Sequence, residues 1–340
     1  MTRAAVPDDQ IIRLMQVPEQ DRREEWIERS LQSAIALELS TIPPYLCAMW
    51  SIKDPTHPVA TMIKNIVLDE MFHMALVCNI MNAIGGTPTI KDAALTYPSH
   101  LPGGVHHDLC VTLAGLTKEQ VRTVFMEIEM PEQPLALALI EGPPTIGAFY
   151  DGLMNAFQTV KPPISTNKQL TPSYDIGENK LELIEDLAGV LNAIELIKEQ
   201  GEGTSTSPEA PHVDAAGELA HYYKFGEIYK GHKFRQVNGK WDWTGDVFPF
   251  PEVYPMGTVP HGGWPNPPDT VRVLLEKFNA AYTDILQDLQ RAWEDGDIAV
   301  LNNAVGKMEN LKDAGVTDLL KIPLPGGDGN YGPEFLVVPT

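Results

Sequence analysis

The sequence is short of cysteine, of basic residues and of long apolar runs, and each shortage excludes something. Its 3 cysteines, Cys47, Cys78 and Cys110, lie far apart, form no CxxC and cannot all pair. Cys47 and Cys78 fall in apolar helical stretches, where a free thiol acts as a small hydrophobe. A reducing, cytoplasmic setting is expected. Lysine and arginine number 25 against 46 aspartates and glutamates, for a net charge of −21. Such a chain repels polyphosphate, so nucleic acid is not an expected partner, nor is an anionic membrane surface. The opening, MTRAAVPDDQ, lacks the apolar stretch of a signal peptide. No run reaches the roughly 18 uninterrupted apolar residues of a membrane span. The helix around Glu70 comes nearest, and it carries charges.

What is present suits one sizeable core: 340 residues with 43% hydrophobic content. Apolar positions at helical spacing predict an all-α single domain over 1–340. Helices are expected at 22–50 and 58–84. They must form an antiparallel hairpin, because the connection through Asp54-Pro55 is short. Gly85-Gly86 supplies the stop. Residues 87–179 read as a mixed insertion with helices in TKEQVRTVFMEIE and at 145–160. Helices at 180–202 and 214–230 complete a four-helix bundle. An aromatic, proline-rich segment follows at 231–268, then two further helices over 269–314.

Residues 34–50, AIALELSTIPPYLCAMW, set one carboxylate, Glu38, in an apolar run and place Pro43 and Pro44 a turn later. Burying an unpaired carboxylate costs several kcal/mol, and a proline inside a helix costs about 3 kcal/mol. A metal pair inside the bundle accounts for the first. A bend that opens room for a small molecule, or one that merely accommodates Trp50, accounts for the second.

Two segments contain Glu-x-x-His: Glu70 with His73, and Glu218 with His221. In a helix these pairs share a face. Taken singly, each reads as a solvated face or a satisfied core histidine. Together with Glu38 they match the dimetal bundle pattern, one Glu from each of two helices and one Glu-x-x-His from each of the others. Glu38 and Glu70 flank the turn near Pro55 at almost equal separations, about 25 Å along each helix, so antiparallel packing brings them level. By the same counting the partner of Glu218 and His221 lies near the end of the preceding helix. Glu202 fits best there, Glu199 next, and Glu195 is too deep. Glu38, Glu70 and Glu202 are the candidate catalytic carboxylates. Oxygen and nitrogen donors without thiolate favour iron or manganese. Glu127 and Glu129 read as surface or outer carboxylates, His106 and His107 as solvated, and the WDW and HGGW segments as packing.

The elements LELSTIPPYL, DEMFHM, IKEQGEGT and HYYKFGEI, with FNAAYTDILQDL and YGPEF later on, resemble the ferritin-like domain family related to iminophenyl-pyruvate dimer synthase. That group acts in violacein-, rebeccamycin- and staurosporine-type secondary metabolism. The resemblance covers roughly 20–335. It implies a ferritin-like bundle holding two iron ions, with Mn/Fe as the alternative, on Glu38, Glu70, His73, Glu202, Glu218 and His221. It strengthens Glu202, since QGEG recurs there in the family. The dimer synthases carry a further N-terminal region that this sequence does not show, which points to some other small substrate, amino-acid-derived or another metabolite. The expected activity is O2-dependent oxidation of that substrate. Iron oxidation without an organic substrate, and metal-stabilised ligand binding, are the competing functions. A homodimer is compatible with the sequence.

Overall fold

A computed structural model of the chain describes residues 9–106, 108–131, 145–202, 207–209 and 218–339, with Glu202 by its backbone alone. Among the described residues the molecule is mostly helical, and the small strands form two hairpins. After a short α1 (Gln10–Met15) come the long helices α2 (Glu24–Ser51) and α3 (Pro58–Ala83), packed against each other. Pro58 starts α3 with its φ already helical, and the His57 ring accepts from Val59 N. By length and composition α3 could cross a membrane, but 89% of its most apolar window is buried in the fold. It is the core helix of the bundle.

Lys118–Gln120, a π turn Val121–Phe125 and Met126–Ile128 run on as one helix, α4, capped by the Thr117 hydroxyl. It is followed by α5 (Ile146–Val160), α6 (Leu187–Glu202) and α7 (His221–Lys230). In the bundle α4 packs on α7, and α6 touches α3, α5 and α7.

Both α6 and α7 start later than the helical spacing predicts. The Gln169 side chain pairs with both backbone groups of Ile184, holding that stretch extended until Asp186 caps Gly189 N. Likewise Ala220 N donates to Pro208 O and Leu219 bridges to Glu209, so the chain before His221 is extended.

Helix α2 continues through Pro43 and Pro44 without interruption. Pro44 leaves the Ser40 carbonyl without its helical donor. The Tyr97 hydroxyl donates to that oxygen instead, at 2.7 Å.

The segment after α7 is a packed cap. Asn238 and Gly239, both at positive φ, turn the hairpin of β3 (Arg235–Val237) and β4 (Lys240–Asp242), whereas β1 (Ser99–His100) and β2 (Cys110–Val111) form the other. The Trp243 ring lies so close to Gly226 on α7 that a Cβ there would come within 2.0 Å of it. Trp264 donates its indole N–H to Gly332 O. Helices α8 (Asp269–Asp295) and α9 (Ile298–Glu309) then close the fold, before a final turn, α10 (Val316–Leu319). Asn79 on α3 ties these parts together. It pairs with the Leu170 backbone through both amide atoms and accepts from the Trp293 indole at 2.9 Å. Cys47 and Cys78 are buried and Cys110 is exposed.

Candidate metal centre

Five buried side chains from four helical elements converge. Glu38 comes from α2, Glu70 and His73 from α3, Glu129 from the residue after α4, and His221 from the first position of α7. They make two groups with a shared member. Glu38, Glu70 and His73 offer ligand atoms within 4.8 Å of one another, and so do Glu70, Glu129 and His221. His73 Nδ1 lies 3.5 Å from Glu38 Oε2. His221 Nδ1 lies 2.9 Å from Glu70 Oε1 and 3.6 Å from Glu129 Oε2.

The outer nitrogens of the two imidazoles are joined by a chain of hydrogen bonds whose direction is fixed from one end. Asp69, as a carboxylate, can only accept. It therefore receives His221 Nε2–H at 3.2 Å and the Asn179 amide N–H at 2.8 Å. Asn179 then turns its oxygen to Gln200 Nε2 at 3.0 Å, and Gln200 turns its own oxygen to His73 Nε2 at 2.7 Å. Both rings are thus donors at Nε2 and present Nδ1 to the carboxylates. This is the outer-shell arrangement that orients metal-binding histidines. Among the described residues His221 Nδ1 is a buried nitrogen without a hydrogen-bond partner, despite its nearness to Glu70.

Hydroxyls hold the carboxylates. Tyr45 donates to Glu129 Oε1 at 2.5 Å, Thr41 to Glu70 Oε2 at 3.0 Å, and Tyr150 to Glu38. Between the side chains lies a chamber of about 40 Å³ whose walls include Leu101, Ile128, Ile146 and Ile197.

The electrostatics are those of crowded charge in a dry place. Burial, then the Glu129 charge, push the Glu70 carboxyl from 4.5 to about 7, against the pull of His221. Burial disfavours the charged form of both imidazoles. For His73 the contact with Glu38 and the charges of Glu70 and Glu38 outweigh it. For His221 the contacts with Asp69, Glu129 and Glu70 outweigh it by more, so both rings hold their protons above the ordinary range. Burial and the neighbouring carboxylates hold the Tyr45 hydroxyl far above its usual value, so it stays a donor.

Each of the two groups has the residues to hold a metal ion. Each group offers one imidazole nitrogen with its outer N–H already engaged, and the shared Glu70 lies between them. The oxygen and nitrogen donor set suits hard to borderline first-row ions. A family model described as ferritin-like matches residues 31–230, a span that includes all five side chains. The chain belongs to the ferritin-like family. A crystal structure of a ferritin-like protein from Caulobacter vibrioides is similar in fold, with 24% identity and a TM-score of 0.60 over 85% of this chain and 95% of that one. No curated protein matches the sequence.

Within this ferritin-like chain the six residues singled out from the sequence divide. Glu38, Glu70, His73 and His221 come together. The side chain of Glu202 lies outside the described residues. Glu218 sits ahead of α7, partly exposed and paired with Lys224 at 3.1 Å. Because no helix links it to His221, the shared-face argument does not apply to that pair. Glu195 is exposed, Glu199 is half-buried, and the inward place on α6 beside His73 is taken by Gln200.

Glu129 is the residue the sequence reading passed over. It keeps helical phase with Val121 and Phe125, both fully buried, which was the available signal. Glu127 is only half-buried. His106 is half-buried rather than solvated, and its Nε2 has no partner among the described residues; His107 lies outside them.

Proposed function

We propose that this ferritin-like chain is a non-haem dimetal-carboxylate oxidase or oxygenase. It holds two iron ions, with Mn/Fe as the alternative, and acts with O2 on a small, amino-acid-derived metabolite, as in the group related to iminophenyl-pyruvate dimer synthase. One observation supports this above the rest: two buried carboxylate–histidine groups share Glu70, and His221 Nδ1 faces them without a hydrogen-bond partner among the described residues.

Glu38 and His73 would hold one ion, Glu129 and His221 the other, with Glu70 between. A bound redox-active pair supplies electrons for the reduction of O2. The protein's own part is positioning and proton control. Tyr150, Thr41 and Tyr45 each occupy one carboxylate oxygen and so fix how Glu38, Glu70 and Glu129 face the centre. The Asp69–Asn179–Gln200 chain keeps both imidazoles in one tautomer. The apolar walls of the chamber exclude bulk water, which strengthens these interactions.

A second reading, iron oxidation without an organic substrate, is favoured by the size of the chamber. At about 40 Å³ it has room for water or O2 and little else. Metal analysis of anaerobically purified protein, then O2 uptake with and without aromatic amino-acid derivatives, separates the two. Close to two iron ions per chain with substrate-dependent O2 uptake supports the oxidase. Iron uptake well beyond two per chain supports the second reading. Absence of transition metal after reconstitution with Fe(II) would sink both.

A further inference from the structure

A second, larger cavity lies on the other side of the α2–α3 hairpin. It encloses about 300 Å³ and shares no lining residue with the chamber between the carboxylates. On α2, Leu39, Ile42 and Leu46 face it, while Glu38, Thr41 and Tyr45 serve the metal side. Its far wall is built from α8 and α9, including Leu286 and Leu289. A void this large and this apolar is the size of a small-molecule site.

The polar groups among its lining residues are few, and two of them, Tyr174 and Lys312, are partly or wholly buried without a partner among the described residues. The Tyr174 hydroxyl oxygen is buried with no hydrogen bond among the described residues. Lys312 is half-buried, and among the described residues its ammonium makes no ion pair or hydrogen bond. Burial holds the Lys312 ammonium below the usual lysine range and outweighs the opposing charge of Asp313. Lys64 also lines the cavity, exposed and without an ion pair. Two carboxylates, Asp175 and Glu309, line it as well, both exposed and neither within ion-pair distance of these lysines.

A buried hydroxyl that can donate and a half-buried ammonium, both in the wall of one apolar void, fit an anionic oxygen head on an apolar body. We propose that this cavity binds a medium-chain or aromatic carboxylic acid, its body among Leu39, Ile42, Leu46 and Leu286 and its carboxylate at Tyr174 and Lys312. The site is independent of the metal reading, since the two cavities have separate walls.

Trp50 and Trp293 line the cavity, so intrinsic fluorescence reports its occupancy. The full-length protein is titrated with decanoate, 1-decanol and decyltrimethylammonium. Decanoate should saturate at one per chain with a Kd below about 1 mM. Decanol should bind roughly tenfold more weakly, and the cation more weakly still. Lys312→Ala, a change in the wall, should weaken decanoate about tenfold and leave decanol unchanged. Leu286→Trp, which fills the void, should abolish decanoate binding in protein whose circular dichroism is unchanged. Equal affinity for acid and alcohol in the unmodified protein, no saturable binding of decanoate, or unaltered binding in Lys312→Ala would each overturn the proposal. The Lys312→Ala result stands even if the tryptophan variant does not fold.

Discussion

Asn179 donates its amide N–H to Asp69 Oδ1 at 2.8 Å, and that one bond sets the direction of the chain that runs on to the His73 imidazole. Because Asp69 can only accept, Asn179 and then Gln200 must turn their oxygens toward His73. A residue that touches neither histidine thereby fixes which nitrogen His73 offers to a metal, while Asp69 fixes that of His221 directly. Asn179→Leu removes the link. We expect Fe(II) affinity to fall about 10–100-fold while the fold stays intact, measured by competition with a chelator of known affinity. Unchanged affinity would mean that His73 holds its tautomer by other means.

The sharing of Glu70 makes a stoichiometric expectation. Glu129→Ala removes a ligand from the His221 group alone and should leave close to one tightly held ion per chain. Glu70→Ala touches both groups and should leave less. Glu218→Ala, at a partly exposed residue paired with Lys224, should retain the full complement. Metal analysis after desalting reads all three. A Glu218→Ala protein depleted like Glu129→Ala would restore the ligand set expected from the sequence.

The metal-free protein should lose stability as pH rises. Glu70 has its folded pKa raised from 4.5 to about 7, so the folded state binds more protons than the unfolded state across that window. By linkage, stability falls as pH climbs through it. His73 and His221 are raised from 6.5. Their contribution is therefore complete below that value and lost as pH rises through their folded pKa values. Both effects have the same sign, so Tm of the metal-free protein should drop steadily from about pH 4.5 upward. Metal takes the place of these protons, so its binding should release protons and tighten with pH. Calorimetry in buffers of different ionisation enthalpy counts the protons. A Tm that rises between pH 5 and 7 in the metal-free form would contradict the assignment.

The proline pair yields a stability expectation. Tyr97 supplies the donor that Pro44 cannot give to the Ser40 carbonyl, in a fully buried place. Tyr97→Phe leaves that oxygen unsatisfied and should cost about 1–3 kcal/mol, read from urea unfolding. A loss below about 0.5 kcal/mol would show that the oxygen finds another donor.

Local patterns alone specified a large share of this protein. Helical spacing, the short link at Asp54-Pro55 and the glycines after α3 fixed the α2–α3 hairpin. That hairpin, by equal counting from the turn, brought Glu38 level with Glu70 and His73. These features are local or nearly so, and sequence spacing measures them directly. The second half of the site escaped such reading because it is assembled by contacts distant in the chain. Gln169 holds Ile184 extended and Pro208 holds Ala220, so α6 and α7 begin late and Glu218 is left outside any helix. Glu129 lies in an insertion between bundle helices, and only packing of α4 on α7 carries it to His221. Which carboxylate completes the His221 group was therefore decided by tertiary structure. Periodicity shows that a side chain faces inward, but only the meeting of separate helices determines what it faces.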